Sequence, residues 1–208
     1  MVDPVNVLEI NSPERLSRFF RGRKPKLWSV GDPSILSRRL LGIISARQTD
    51  SDLALKSSQL LKELPSLKEV AFVGGWHAPL EEEALRILVN QGAQVVFCVS
   101  KSLNRFDPPA ELARRVENRG ALLLTHCSAK AKRISREASI RRNELVIGLA
   151  TAVLILSAPT GSASLKLAKS ALSFGKPVLT PEHRVNDELL KCRALPATLD
   201  NIQAALGS

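Results

Sequence analysis

The sequence predicts an α/β protein: a doubly wound, mostly parallel Rossmann-like sheet with helices on both faces. Three observations carry this. Short runs rich in Val, Ile and Leu recur along the 208 residues, each of strand length and without polar alternation, as in strands covered on both faces. Longer segments with apolar residues at helical spacing lie between them. The two kinds alternate, which is the pattern of βαβ units in one sheet.

In chain order, residues 1–40 precede the first apolar run and read as a helical or irregular N-terminal extension. Residues 41–182 carry the alternating pattern. The runs at 41–45, 70–73, 94–99, 121–125, 152–157 and 177–179 read as strands. The segment 52–64 aligns Leu53, Leu60, Leu61 and Leu64 on a helix face. The segment 80–91 does so with Leu80, Ala84, Leu85 and Leu88, with Pro79 suited to a first helical position and Gly92 just beyond. Helical spacing recurs over 107–118 (Leu112, Ala113, Val116), over 134–150 (Ile134, Ala138, Leu145, Val146, Leu149) and over 163–174, stopped by Gly175. Residues 183–208 read as a short C-terminal helical tail. No repeat or low-complexity tract is present.

Composition narrows the function classes. Apolar residues make up 44% of the chain, enough for a packed core. No apolar run approaches the roughly 20 residues of a membrane helix, and Met1–Pro4 lacks the start of a secretory signal. Cys98, Cys127 and Cys192 are odd in number and widely spaced, which argues for a reducing, cytoplasmic setting without disulfides. Net charge is +10. Residues 15–47 hold nine basic groups against Asp32 alone, and residues 101–142 hold eleven against four acids. Two such blocks point to a polyanion partner, because counterion release drives that binding; a solvated basic surface is the plainer alternative.

In a doubly wound sheet, ligands bind outside the carboxyl ends of the strands, near the point where strand order reverses. Four pieces of sequence qualify. Ser45–Asp50 offers Arg47 to fork onto a phosphate, with Thr49 or Asp50 as a helix cap. Gly74–Pro79 lets backbone approach a ligand and contains Trp76, a stacking candidate or simple packing, but Glu81, Glu82 and Glu83 in the following turn would repel an anion. Thr160–Ser164 opens a helix as an anion cradle around Gly161 and Ser162, without a Walker lysine. Lys130–Asn143 carries Arg133, Arg136, Arg141, Arg142 and Asn143, suited to phosphates, ribose or base edges. Catalytic signals are thin. His77 and Glu81 form a His–carboxylate pair at i, i+4, next to a glycine loop; His126-Cys127 has no partner at metal-ligand spacing.

Several stretches resemble one family. Leu27-Trp28-Ser29-Val30-Gly31-Asp32-Pro33, then 41–47, looks like the opening of the DprA/Smf (DNA-processing protein A) Rossmann domain. Arg142-Asn143-Glu144-Leu145-Val146-Ile147-Gly148-Leu149-Ala150 is similar to that family's RNRIIAGLS segment. The run 152–158, the Thr160-Gly161-Ser162 loop and Gly175-Lys176-Pro177-Val178-Leu179 follow in the family's order, across roughly residues 25–182. The chain departs from the family at Gly74–Glu81, where SGLAxGID is replaced, at Thr125–Ser128, where SEYP is replaced, and at Ser157. It reads as a short, divergent branch reduced to the Rossmann core.

The resemblance implies a non-enzymatic, cytoplasmic protein that binds single-stranded DNA and helps load RecA in natural transformation, as a homodimer without membrane contact or cofactor. The residues expected to line a phosphate-tracking groove at the carboxyl ends of the strands are Arg47, Gly74, Gly75, Arg142, Asn143, Gly161, Ser162 and Lys176, extended by Arg133, Arg136 and Arg141. The alternative is a nucleotide-binding or nucleotide-processing protein of the related LOG superfamily, with His77 and Glu81 as acid–base candidates; the PGGxGTxxE signature of its hydrolases is absent.

Overall fold

A computed structural model describes residues 7–20, 24–131 and 134–207. Arg133 and the first six residues of the expected extension lie outside them. The elements run β1 (Leu8–Ile10), α1 (Arg15–Phe19), β2 (Leu27–Gly31), β3 (Arg39–Ser45), α2 (Ser51–Glu63), β4 (Val70–Gly74), α3 (Pro79–Asn90), β5 (Gln94–Val99), α4 (Ala110–Glu117), β6 (Ala121–Thr125), α5 (Arg136–Leu149), β7 (Ala152–Ser157), α6 (Ala163–Ser173), β8 (Val178–Thr180), α7 (Asp187–Lys191), β9 (Leu195–Pro196) and α8 (Leu199–Leu206).

These strands form one sheet in the order β1-β2-β6-β5-β4-β3-β7-β8-β9. From β6 to β9 every pairing is parallel. The chain runs outward from β3 to β6 on one side, then returns to β3's other edge as β7. The reversal point therefore lies between β3 and β7, where a doubly wound sheet opens a crevice.

The apolar runs lack alternation because successive side chains feed two cores. Leu41, Ile43, Phe72, Val95, Phe97, Leu123, Leu154 and Leu156 pack on the face covered by α2, α3 and α8. Leu40, Ile44, Ala71, Val73, Val96, Leu122, Leu124, Val153 and Ile155 pack on the face covered by α5 and α6. A period of two with both faces dry leaves no position for a polar residue.

The extension differs from expectation. Instead of helical or irregular chain throughout, it supplies β1 and β2, both antiparallel, at the sheet edge. β1 has only three residues, and β2 (Leu-Trp-Ser-Val-Gly) is interrupted by Ser29, so neither shows an unbroken apolar run. Gly31 ends β2 at φ +105°, where an added Cβ would sit 2.3 Å from the Ala121 carbonyl oxygen; only glycine fits. Asp32 then accepts the Ser34 N–H at 2.9 Å and caps a 3-10 turn, Pro33–Ser37. The Gly-Asp pair of the opening motif is thus a turn device.

Helix starts follow their caps. Asp50, Ser135, Ser162 and Thr198 accept N–H groups at the starts of α2, α5, α6 and α8, and Pro79 opens α3. Helix α4 begins at Ala110 rather than near 107, because Pro108 and Pro109 disfavour helical backbone before them. Helix α5 begins at Arg136, leaving Ile134 exposed outside it. Residues 183–207 hold α7 and α8, with the two-residue strand β9 between them pairing with β8.

Candidate nucleic-acid interface

At the carboxyl edge, the β3 and β4 loops and the first half of α5 are joined by one buried polar network. Its centre is Glu81, at the third position of α3 and 1% exposed. One carboxylate oxygen accepts the Ser45 N–H at 2.8 Å. The other accepts the His77 N–H at 3.1 Å and stands 3.1 Å from His77 Nδ1. Arg142, 4% exposed, donates to the Gly75 carbonyl at 3.2 Å and lies 3.3 Å from His77 Nε2. An imidazole with its proton on Nδ1 satisfies both neighbours, donating to Glu81 and accepting from Arg142. Both ring nitrogens of the acid–base candidate are therefore engaged in holding the loops together.

The glycines belong to this clamp. An added Cβ at Gly75 would meet Arg142 Nη1 at 2.3 Å. At Gly74 it would meet the Trp76 indole at 2.8 Å. Trp76 itself turns inward. It is 4% exposed, donates Nε1–H to the Val96 carbonyl at 3.1 Å and holds φ at +52°. Its role is packing, not stacking on a base.

The network sets the local electrostatics. Burial draws the Arg142 guanidinium below its ordinary pKa, with Glu81 opposing that shift and Arg47 reinforcing it. Arg47 is exposed in the loop after β3, near enough for its charge to be felt at Arg142. Arg136 and Arg141 are exposed on α5, Arg141 pairing with Glu137 at 2.9 Å. Asn143 is half-buried on the same helix. His126, beside Arg141 and Arg142, has its pKa lowered, by burial first and then by those two cations.

The third loop is less open to an anion than the sequence implies. Gly161 sits at φ +78°, but the Ser162 hydroxyl already accepts the Leu165 N–H at 3.1 Å. Glu188 stands beside it, accepting from Thr160 at 3.0 Å and from Lys169 at 2.7 Å. Lys176 is not at this edge. It precedes β8, and its ammonium holds the Ala150 carbonyl at 2.6 Å, at the C-terminus of α5 and the amino end of the sheet. The helix dipole places partial negative charge there, and that is where the lysine goes.

Two residues that organise the edge have weak sequence signals. Asn186, fully buried, accepts the Ala158 N–H at 2.9 Å and donates to the Leu156 and Pro181 carbonyls at 3.3 and 3.0 Å. It ties the end of β7 to the tail. Glu81 as a clamp was legible only as an acid three residues into a helix, where carboxylates often reach back to free N–H groups. Among the described residues no cluster of His, Cys, Asp and Glu could hold a metal ion, and no helix is long and apolar enough to cross a membrane.

A mostly parallel sheet with exposed arginines at its carboxyl edge defines a Rossmann-like α/β protein. The chain belongs to the DNA recombination-mediator protein A family, whose model matches residues 6–197. The DNA processing protein A of Streptococcus pneumoniae superposes with a TM-score of 0.79 at 19% identity, over 95% of this chain and 73% of its own. That of Helicobacter pylori, described for its single-stranded DNA binding mode, gives 0.77 at 21% identity, over 96% and 94%. A molybdenum cofactor binding protein from Rippkaea orientalis shares the fold more distantly, with a TM-score of 0.56 at 14% identity over 80% of this chain and 94% of that one. Comparison with curated proteins gives no match.

Proposed function

We propose that this chain binds single-stranded DNA along the carboxyl edge of its sheet, as a DNA-processing protein that hands the strand to RecA and acts as a homodimer. Exposed Arg47, Arg136 and Arg141 follow the phosphates, with Arg133 extending the path. Arg142, Gly74 and Gly75 set the shape of the crevice from beneath, and Asn143, Gly161 and Ser162 flank it. Lys176 has no part in this groove.

The observation that supports this reading is the gathering of exposed Arg47, Arg136 and Arg141 on the loop after β3 and on α5, around the buried Arg142. Guanidinium groups gathered at one edge repel one another, and phosphates set against them remove that repulsion. The H. pylori relative is described as binding single-stranded DNA, which agrees with a polymer ligand. A mononucleotide pocket fits less well. The Ser45 and His77 N–H groups, natural phosphate donors in such a crevice, are taken by the Glu81 carboxylate.

The test is fluorescence anisotropy of a labelled single strand against its duplex, at low and near-physiological salt, with free nucleotides as competitors. The expected result is single-strand preference that weakens with salt. Replacing Arg47, Arg136 and Arg141 by alanine lowers the log–log salt slope by about 0.7 for each phosphate no longer neutralised. Unchanged slope in all three variants, or full displacement by one mononucleotide, overturns the assignment.

A further inference from the structure

The opposite edge of the sheet carries a second cationic surface that the reading above does not use. At the amino ends of β3, β7 and β8, a recess of about 380 Å³ is lined by Arg15, Arg38, Arg39 and Lys176, with no acidic residue among the described residues of its lining. It shares Arg15 and Lys176 with an adjoining recess of about 310 Å³, whose walls include Phe19 and Phe174. These rings are partly exposed and 4.6 Å apart at 43°. Arg38 and Arg39 are exposed.

Two of the cations are fixed in place by the backbone. Arg15 donates to the Leu149 carbonyl at 2.9 Å and the Leu36 carbonyl at 2.6 Å. Lys176 holds the Ala150 carbonyl at 2.6 Å. They cap the C-terminus of α5, so their charges are held at the recess without the entropy cost of ordering a free side chain. Arg15 also borders a recess lined by Glu9 and Glu14, which pair with Lys26 and Lys24, and Glu69 immediately precedes Val70, the β4 residue paired with Arg39.

We infer that this amino-edge surface is a second binding site for single-stranded nucleic acid, in which the four cations take backbone phosphates and the Phe19–Phe174 pair takes a base. Cations beside partly exposed aromatic rings are the combination that holds a single strand without reading its sequence. Arg38 and Arg39 supply the planar forks that match phosphate oxygens. The seven residues of β3, at about 3.3 Å each, put this surface roughly 20 Å from Arg47. One chain can then hold two segments of strand at once. The inference rests on the proposed function for the kind of polymer, but not for its location.

The test is photocrosslinking of a bromouracil-substituted single strand to the full chain with peptide mapping, alongside binding stoichiometry of a short oligonucleotide. Crosslinks in peptides containing Phe19 or Phe174, with two oligonucleotides per chain, are expected. The double variant R38E/R39E reverses two exposed charges at the recess; it returns the stoichiometry to one. Phe174→Leu keeps the apolar volume and weakens the second site roughly tenfold. Crosslinks confined to the carboxyl edge, with one oligonucleotide per chain in wild type and variants alike, overturn the inference and leave the proposed function standing. Binding lost in R38E/R39E but intact in an Arg47 variant keeps the amino-edge site and overturns the carboxyl-edge one. Absence of oligonucleotide binding overturns both. Equal competition at the second site by inorganic phosphate or polyglutamate overturns its assignment to nucleic acid.

Discussion

Replacing Glu81 by alanine removes the one carboxylate that joins the β3 loop, the β4 loop and α3. The magnitude follows from what is stranded. The Ser45 and His77 N–H groups and the His77 ring lose their acceptor, and Arg142 loses the nearby negative charge that offsets its burial. Breaking a buried ionic network by removing one partner costs about 3–5 kcal/mol. In a chain of this size a loss near 3 kcal/mol lowers the melting temperature by roughly 10 °C. Glu81→Gln keeps one acceptor oxygen but turns an amide N–H toward a donor, and costs about 2 kcal/mol. Circular dichroism melts, checked by urea unfolding, measure both variants. A double-mutant cycle with Arg142→Met then reads the coupling, expected at about 1–2 kcal/mol. A melting shift under ~2 °C for Glu81→Ala, or additive single effects, would refute the clamp.

The remaining predictions probe its neighbours. Gly75→Ala sets a Cβ against the Arg142 guanidinium and should cost about 1–3 kcal/mol, with weaker oligonucleotide binding; wild-type melting and affinity together count against this packing. Asn186→Ala strands one N–H and two carbonyls between β7 and the tail; a loss of about 3 kcal/mol is expected, with hydrogen exchange opening first at Ala158. The folded pKa of His126 lies below its ordinary 6.5, so as pH falls the unfolded chain takes the proton first. Stability is full above about 6.5 and declines as pH drops through that value toward the folded pKa. Melting temperature followed from pH 8 to pH 5 in wild type and His126→Gln checks this, and identical profiles refute it.

The parallel core was legible because both faces of each central strand are covered, so runs such as Val95–Val99 carry no polar residue to blur them. The edge was not. Strands of three and two residues, β1 and β9, hold too few positions for a period to show. Among the site residues, Arg47, Arg136 and Arg141 are found where their loops and helix predict. Lys176 misled because its motif borders a strand without saying which end. The proline after it marks the entry to β8, and that proximity to the amino end was the available signal. The partners of Glu81 were not readable, since a carboxylate three residues into a helix serves the dipole, a ligand or a distant loop equally well in one dimension. Only the packing of β3 against β4 brings Ser45 N–H within its reach.

On the proposed function, the buried carboxylate also gives a reason for a Rossmann crevice to take a polymer in place of a nucleotide. In dinucleotide sites the loop amides and the helix N-terminus face the phosphate directly. Here Glu81 sits among those amides as an internal anion, and Glu188 stands by the third loop. A small phosphate ester entering the crevice finds the Ser45 and His77 amides already taken. A longer strand need not enter, because the exposed arginines lie outside it, on the loop after β3 and the flank of α5. On the proposed function its affinity would come from many peripheral contacts, each weak and salt-sensitive, so amides already held by Glu81 would disfavour mononucleotides while costing a polymer little. Glu81→Gln should then raise mononucleotide affinity more than oligonucleotide affinity. Equal gains, or a gain for the oligonucleotide alone, would remove the carboxylate from any role in selectivity.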